Sequence, residues 1–102
     1  MSASLTVDTT REDTGDLIVV ASGEVDLSNI EAFRRTLTAA ADNNAGSLTI
    51  DLSQVEYVDS AGINVLFTLS ERISKVIANP VLMTTFAVSG LAELVPVERA
   101  EL

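Results

Sequence analysis

The chain has 102 residues, 47% of them hydrophobic, which suits one domain over residues 1–102 with a packed core and leaves no room for a second. It contains no cysteine and no histidine, which excludes disulfides and removes the usual general base and the commonest metal ligand, so we expect neither an enzyme nor a cofactor. Fifteen acidic residues against six basic ones give a net charge of -9, which disfavours nucleic acid and anionic membranes. This acidity either suits a basic protein partner or simply keeps the chain in solution.

No apolar run approaches the ~20 residues that a membrane-spanning helix needs. The first residues, MSASLTVDTTRED, lack the basic start and the apolar stretch of a secretory signal. These features predict a cytoplasmic protein.

The first elements predicted are two antiparallel strands. Leu5 and Val7 alternate with polar residues, which indicates a half-buried strand. Residues 9–16 are polar and predict a turn, and residues 17–21 form a β-branched apolar run of strand length.

An amphipathic helix is predicted next. The Gly-Glu-Val-Asp sequence at 23–26 ends the second strand, and Ser28 precedes Glu31 by three residues, the spacing of a capping box. The helix ends at the Asn-rich, Gly-containing run 43–46. Its apolar face consists of Ile30, Phe33, Leu37, Ala40 and Ala41.

The second half predicts a strand, a long helix and a further strand. Residues 48–52 alternate as a strand. After Gly62, apolar residues spaced three or four apart from Ile63 to Ile77 predict a helix that Asn79-Pro80 breaks. Val81 to Thr85 then predicts another strand.

The C-terminal part predicts a short final helix, Leu91 to Val95, which ends near a proline. Residues 97–102 fit either a frayed tail or a short edge strand. The alternation of strands and helices requires parallel neighbours with right-handed crossovers. We therefore predict an α/β fold, a mixed four- to five-stranded sheet with an antiparallel edge strand, packed against two longer helices and one short C-terminal helix.

The functional centre predicted is the hinge between strand and helix at Asp59, Ser60, Ala61 and Gly62, within the stretch DLSQVEYVDSAGINVL. A hydroxyl at a helix start has two possible roles: it caps the helix, or it carries a phosphate that the helix N-terminus favours. Ile63 and Val65 beside the hinge belong either to the core or to an exposed apolar interface.

These motifs resemble a known family. GEVD at 23–26, then LTIDLSQVEYVDSAGINVL, then FAVSGLAELV resemble, in this order, the STAS domain of bacterial anti-sigma factor antagonists. The resemblance implies that the unphosphorylated protein binds an anti-sigma factor serine kinase and frees a sigma factor that controls transcription, for example in a stress response. It also implies that phosphorylation of Ser60 switches the protein off and that a separate serine phosphatase resets it.

By position, the resemblance also implies which residues bind the partner. The family often has Ser or Thr where this chain has Ala61, and Gly where it has Asn64. The first difference leaves one hydroxyl in the hinge, and the second leaves open an altered choice of partner or a chain that binds without being phosphorylated. The partner-binding residues implied are Glu24, Asp26, Asp59, Ser60, Ala61, Gly62, Ile63 and Asn64.

Two rival functions remain open from the sequence. Asp26, Asp51 and Asp59 could cluster as carboxylates for acid-base chemistry or a divalent metal. Alternatively, the chain is a non-switching STAS scaffold subunit of a larger signalling assembly, in which case binding is indifferent to phosphorylation of Ser60.

Overall fold

The computed structural model describes residues 4–44 and 46–101. Two short 3-10 turns, Ser70–Arg72 and Pro80–Leu82, separate the later elements. The strands and helices are β1 Leu5–Arg11, β2 Leu17–Val25, α1 Ile30–Asp42, β3 Leu48–Val58, α2 Ser60–Thr68, β4 Lys75–Ala78, α3 Met83–Ser89, α4 Leu91–Leu94 and β5 Val97–Arg99.

The five strands form one sheet in the order β1-β2-β3-β4-β5. Strand β1 pairs antiparallel with β2, and every later pair is parallel. Crossovers of the usual right hand between successive parallel neighbours would place the connecting helices on one face of the sheet. In agreement with this arrangement, α1 contacts α2 and α2 contacts α4. The predicted α/β class, the mixed sheet and the antiparallel edge strand are therefore confirmed.

The core lies between this face of the sheet and the helices. Alternate residues of β2 and β3 point into it, and Phe33 of α1 and Phe86 of α3 are its largest fully buried side chains. Burying such side chains is the main favourable contribution to folding, roughly 1.5–3 kcal/mol for each large apolar residue. No helix in the described part of the chain is long and apolar enough to cross a bilayer.

The predicted second helix is too long. Helix α2 ends at Thr68, and residues 75–78, predicted as its last turn, form β4. The spacing of Ile73, Val76 and Ile77 fits a helical period. In the structure, however, every second residue of this segment is buried, namely Val76 and Ala78, as in a strand. Tertiary pairing with β3 decides between the two periods.

The predicted strand over Val81 to Thr85 is wrong as well. The side chain of Asn79 accepts a hydrogen bond from Val81 N at 3.0 Å, and Pro80 occupies the first position of a 3-10 turn that leads into α3. Asparagine at an N-cap followed by proline favours the start of a helical segment. From the sequence alone, the same pair predicts only the end of the preceding helix.

The first three strands are longer than predicted, because their pairing in the sheet continues beyond the residues that show a strand pattern in the sequence. Strand β1 extends to Arg11, into the predicted turn, while β2 and β3 run on to Val25 and Val58. Residues 97–99 form the edge strand β5, which resolves the alternatives for this part of the C-terminus. Residue 102, the last of that stretch, lies outside the described residues.

Candidate functional site

The site is built around the start of α2. Asp59 is the N-cap residue, and its Oδ1 accepts hydrogen bonds from Ala61 N at 2.9 Å and Gly62 N at 3.2 Å. These bonds satisfy two of the backbone donors that a helix start leaves without an intrahelical partner. The suggestion that Ser60 caps this helix is therefore wrong, because Asp59 does so.

Ser60 is the first residue of α2, and its side chain is exposed to solvent. Since the capping position belongs to Asp59, the fold does not need the Ser60 hydroxyl for that purpose. An exposed hydroxyl at the first turn of a helix is accessible to a second protein and lies where a negative charge is tolerated. This geometry is compatible with a phosphorylation site.

Gly62 brings α2 close to the sheet. A Cβ atom at this position would lie 2.6 Å from Val58 Cγ1 and 2.9 Å from Val25 Cγ1, which is closer than packed carbon atoms approach. Gly62 is buried, so it acts through packing and contributes no exposed side chain to the predicted partner-binding set.

The turn between β2 and α1 lies against the same carboxylate. Asp59 Oδ2 accepts a hydrogen bond from Leu27 N at 3.1 Å, which joins positions 32 residues apart. Within the turn, Asp26 Oδ1 accepts from Ser28 N at 2.8 Å and from Ser28 Oγ at 2.5 Å. Asp26 thus shapes the turn, and Asp59 connects that turn to the hinge.

The predicted capping box of α1 does not form. The N-cap residue is Asn29, whose side chain makes no capping hydrogen bond, and Ser28 donates its hydroxyl to Asp26 instead. An aspartate side chain readily accepts hydrogen bonds from the residue two positions later, which forms a local turn. Ser28 is engaged in such a turn with Asp26 and therefore does not cap α1. The side chain of Glu31 pairs with Arg34.

An apolar groove of about 580 Å³ lies between α2 and α3, with Ser60 on its lining. Val88 on the α3 side is 82% exposed. The α3 side of the groove does not follow from the sequence, because the local pattern predicts a strand over part of that segment. The lining residues are Val58, Asp59, Ser60, Ile63, Asn64, Phe67, Thr84, Thr85, Val88 and Ser89.

The two apolar residues suggested as exposed are both buried. Ile63 retains 9% of its surface and Val65 only 3%. Ile63 nevertheless lies on the wall of the groove, next to the exposed Asn64. Val65 belongs to the core, whereas Ile63 forms part of the groove without standing out from the surface.

Glu24 lies apart from the other implied partner-binding residues. It precedes Val25, which packs beside α2, so strand alternation directs the exposed Glu24 side chain away from that helix. Its carbonyl oxygen accepts from Asn29 Nδ2 at 2.9 Å, which ties its backbone to the turn. The structure thus brings Asp26 and Asp59 together at the turn and the hinge, with the Glu24 side chain on the other side of β2.

The three-carboxylate cluster considered for acid-base or metal chemistry does not form. Asp51 lies on β3, where its Oδ1 accepts from Ser53 N at 2.9 Å, and it does not reach the hinge. Among residues 4–44 and 46–101, no group of three acidic side chains is arranged to hold a metal ion.

Most of the chain is similar to known proteins. The family model described as "Mlab, STAS domain" matches residues 8–96. The anti-sigma-F factor antagonist RsfB of Mycobacterium tuberculosis is 33% identical over 72 residues, which are 71% of this chain. The chain spans only 58% of the length of that relative.

Solved structures share the fold. A crystal structure of an anti-sigma factor antagonist from Mycobacterium paratuberculosis aligns with a TM-score of 0.84 and 28% identity, and the alignment covers 93% of this chain and 86% of that one. The Bacillus antagonist SpoIIAA in its unphosphorylated form aligns with a TM-score of 0.72, 16% identity and coverage of 94% and 89%.

Proposed function

The chain belongs to the STAS domain family, and from that membership we propose that it is an anti-sigma factor antagonist whose binding is switched off by phosphorylation of Ser60. The observation that carries the proposal is the exposed Ser60 side chain on the lining of an apolar groove. The names of similar proteins from Mycobacterium tuberculosis and Mycobacterium paratuberculosis support the antagonist role.

In the proposed cycle, the unphosphorylated chain docks on an anti-sigma factor that is also a serine kinase, and a sigma factor is released. The groove supplies apolar contact, and Ser60 lies within the contact area. The kinase transfers the γ-phosphoryl group of ATP to Ser60 Oγ, leaving ADP, and the hydroxyl proton passes to a base on the kinase. A serine phosphatase later hydrolyses the phosphoester. We place this cycle in the cytoplasm.

Phosphorylation acts mainly on the interface and little on the fold. A phosphate adds roughly -1.5 to -2 charge at neutral pH, and the N-terminus of α2 tolerates negative charge. Beside Ser60, Asp59 and the nearby Asp26 already make the surface acidic. A partner surface fitted to a small hydroxyl then has to desolvate a doubly charged group without a matching cation.

The size of this effect is sufficient for a switch. A loss of about 2–4 kcal/mol weakens binding roughly thirtyfold to a thousandfold. The Ser60→Ala variant keeps the neutral surface and is expected to stay bound to the kinase, whereas Ser60→Asp is expected to bind poorly.

The test is a pull-down from native cell extract with ATP, followed by intact-mass measurement and peptide mapping. We expect a co-purifying serine kinase and the gain of one phosphate on Ser60. The Ser60→Ala variant is the matched control and gains none. Capture of a large assembly whose binding is unchanged by Ser60→Asp supports the scaffold function and contradicts the switch.

A further inference from the structure

Leu27 is an exposed apolar residue outside the groove and outside the partner-binding residues named above. Its side chain is 77% exposed, on the turn between β2 and α1. Single exposed leucines are common on protein surfaces, so exposure alone says little. What distinguishes Leu27 is how firmly its backbone is held and which residue holds it.

The turn that carries Leu27 is fixed by hydrogen bonds on both sides. Asp26 N donates to Asn29 Oδ1 at 3.0 Å, and Asp26 Oδ1 accepts from Ser28 N at 2.8 Å. Asn29 Nδ2 donates in turn to Glu24 O at 2.9 Å. An apolar side chain on such a prearranged turn loses little backbone freedom on binding, which favours its use as an anchor.

Asp59 connects this turn to the switch. Its Oδ2 accepts from Leu27 N at 3.1 Å while its Oδ1 caps α2, so one carboxylate positions both the leucine and the helix that begins with Ser60. Asp59 also lies on the lining of the groove with Val88. The surface around Asp59 and Ser60 is therefore flanked by two exposed apolar side chains, Leu27 and Val88.

We propose that Leu27 is a second anchor for the anti-sigma factor kinase, held in place by Asp59 as a positioning residue; this rests on the proposed function. The partner that fits has an apolar socket for the leucine, separate from its contact with the groove. Because the carboxylates of Asp26 and Asp59 border Leu27, that socket is expected to carry basic side chains at its rim.

The first test compares Leu27→Ala with a matched control. Leu94→Ala removes a similarly exposed leucine, 56% exposed on α4, that does not line the groove. In calorimetric titration with the purified kinase identified in the pull-down, we expect Leu27→Ala to bind about 30-fold more weakly, as for an interface hot spot. Leu94→Ala is expected to bind as the unmodified chain does.

The second test separates the positioning role of Asp59 from its capping role. In Asp59→Asn, one oxygen remains to cap α2, but the amide group that replaces Oδ2 cannot accept from Leu27 N. We expect faster hydrogen exchange at the Leu27 amide and weaker binding. If Asp59 acts through Leu27, the affinity of the double variant Leu27→Ala/Asp59→Asn is no lower than that of the single variant with the lower affinity.

The outcomes distinguish this proposal from the function on which it rests. If the unmodified chain binds the kinase and is phosphorylated while Leu27→Ala binds equally well, the anchor is refuted and the switch stands. Additive effects in the double variant overturn the positioning role of Asp59. If the unmodified chain binds no such kinase, both proposals are overturned.

Discussion

At the scale of single residues, the separate roles of Asp59 and Ser60 explain how this hinge is able to act as a switch. The carboxylate of Asp59 satisfies the helix start and the neighbouring turn, so the Ser60 side chain remains exposed. The sequence placed both residues at the hinge. It did not assign their roles, because either side chain is a good N-cap.

Gly62 provides a stability test at this scale. In Gly62→Ala the added methyl group meets two β-branched valines, 2.6 and 2.9 Å away, whose χ1 angles are stiff. This clash outweighs the better helix propensity of alanine, and we expect a loss of about 1–2 kcal/mol in the free energy of unfolding. Urea denaturation measures it.

The control for this substitution is Asn64→Ala, an exposed change on the same helix. It is expected to alter the free energy of unfolding by less than about 0.5 kcal/mol. Finding Gly62→Ala as stable as the unmodified chain would contradict the close contact between α2 and the ends of β2 and β3.

At the scale of elements, Asp16 links the β1–β2 turn to the start of β3. Its Oδ1 accepts from Ser47 N at 2.6 Å, and Thr14 Oγ1 donates to its Oδ2 at 2.8 Å. The hydrogen bond from the Ser47 backbone, and then that from Thr14, lower the pKa of Asp16 below its ordinary value of 3.8. Folding therefore favours the ionised carboxylate.

This lowered pKa fixes the sign of a pH effect. The stabilisation is complete above the unfolded pKa of 3.8 and is lost as the pH falls through the lower folded pKa. We expect Asp16→Asn to have a lower urea midpoint than the unmodified chain at neutral pH, with the difference shrinking at acidic pH. A difference that stays constant or grows on acidification counts against the Asp16 link.

The elements also show where sequence reasoning succeeds. The existence and type of the hairpin, α1 and the strand that leads to the hinge follow from local patterns, although the strands run further than those patterns indicate. The elements within residues 69–89 do not follow from local patterns. Ile73, Val76 and Ile77 fit both a helix and a strand, and Asn79-Pro80 fits both the end of one helix and the start of another. Pairing of β4 between β3 and β5 decides, and that information is not local. The groove was missed for the same reason.

At the scale of the whole molecule, the net charge of -9 is expected to govern how fast the partner binds. Among the residues that the structure describes, three basic side chains pair with acidic neighbours, namely Arg34, Arg72 and Lys75. With a basic partner, long-range attraction raises the association rate constant and is screened by salt. Stopped-flow measurements at rising salt are expected to show a falling association rate and a nearly constant dissociation rate.

The salt experiment has its own control. Glu56→Gln removes one exposed charge from β3 and is expected to reduce the salt dependence slightly without altering the dissociation rate. An association rate that does not respond to salt would show that the acidic surface plays no part in attracting the partner.

The most direct test of the account is calorimetric titration of the kinase with the unmodified chain and with the same chain phosphorylated on Ser60. We expect a dissociation constant roughly thirtyfold to a thousandfold larger for the phosphorylated chain, with an unchanged circular dichroism spectrum. Equal affinities of the two forms, or a fold lost on phosphorylation, would contradict a switch that acts at the interface.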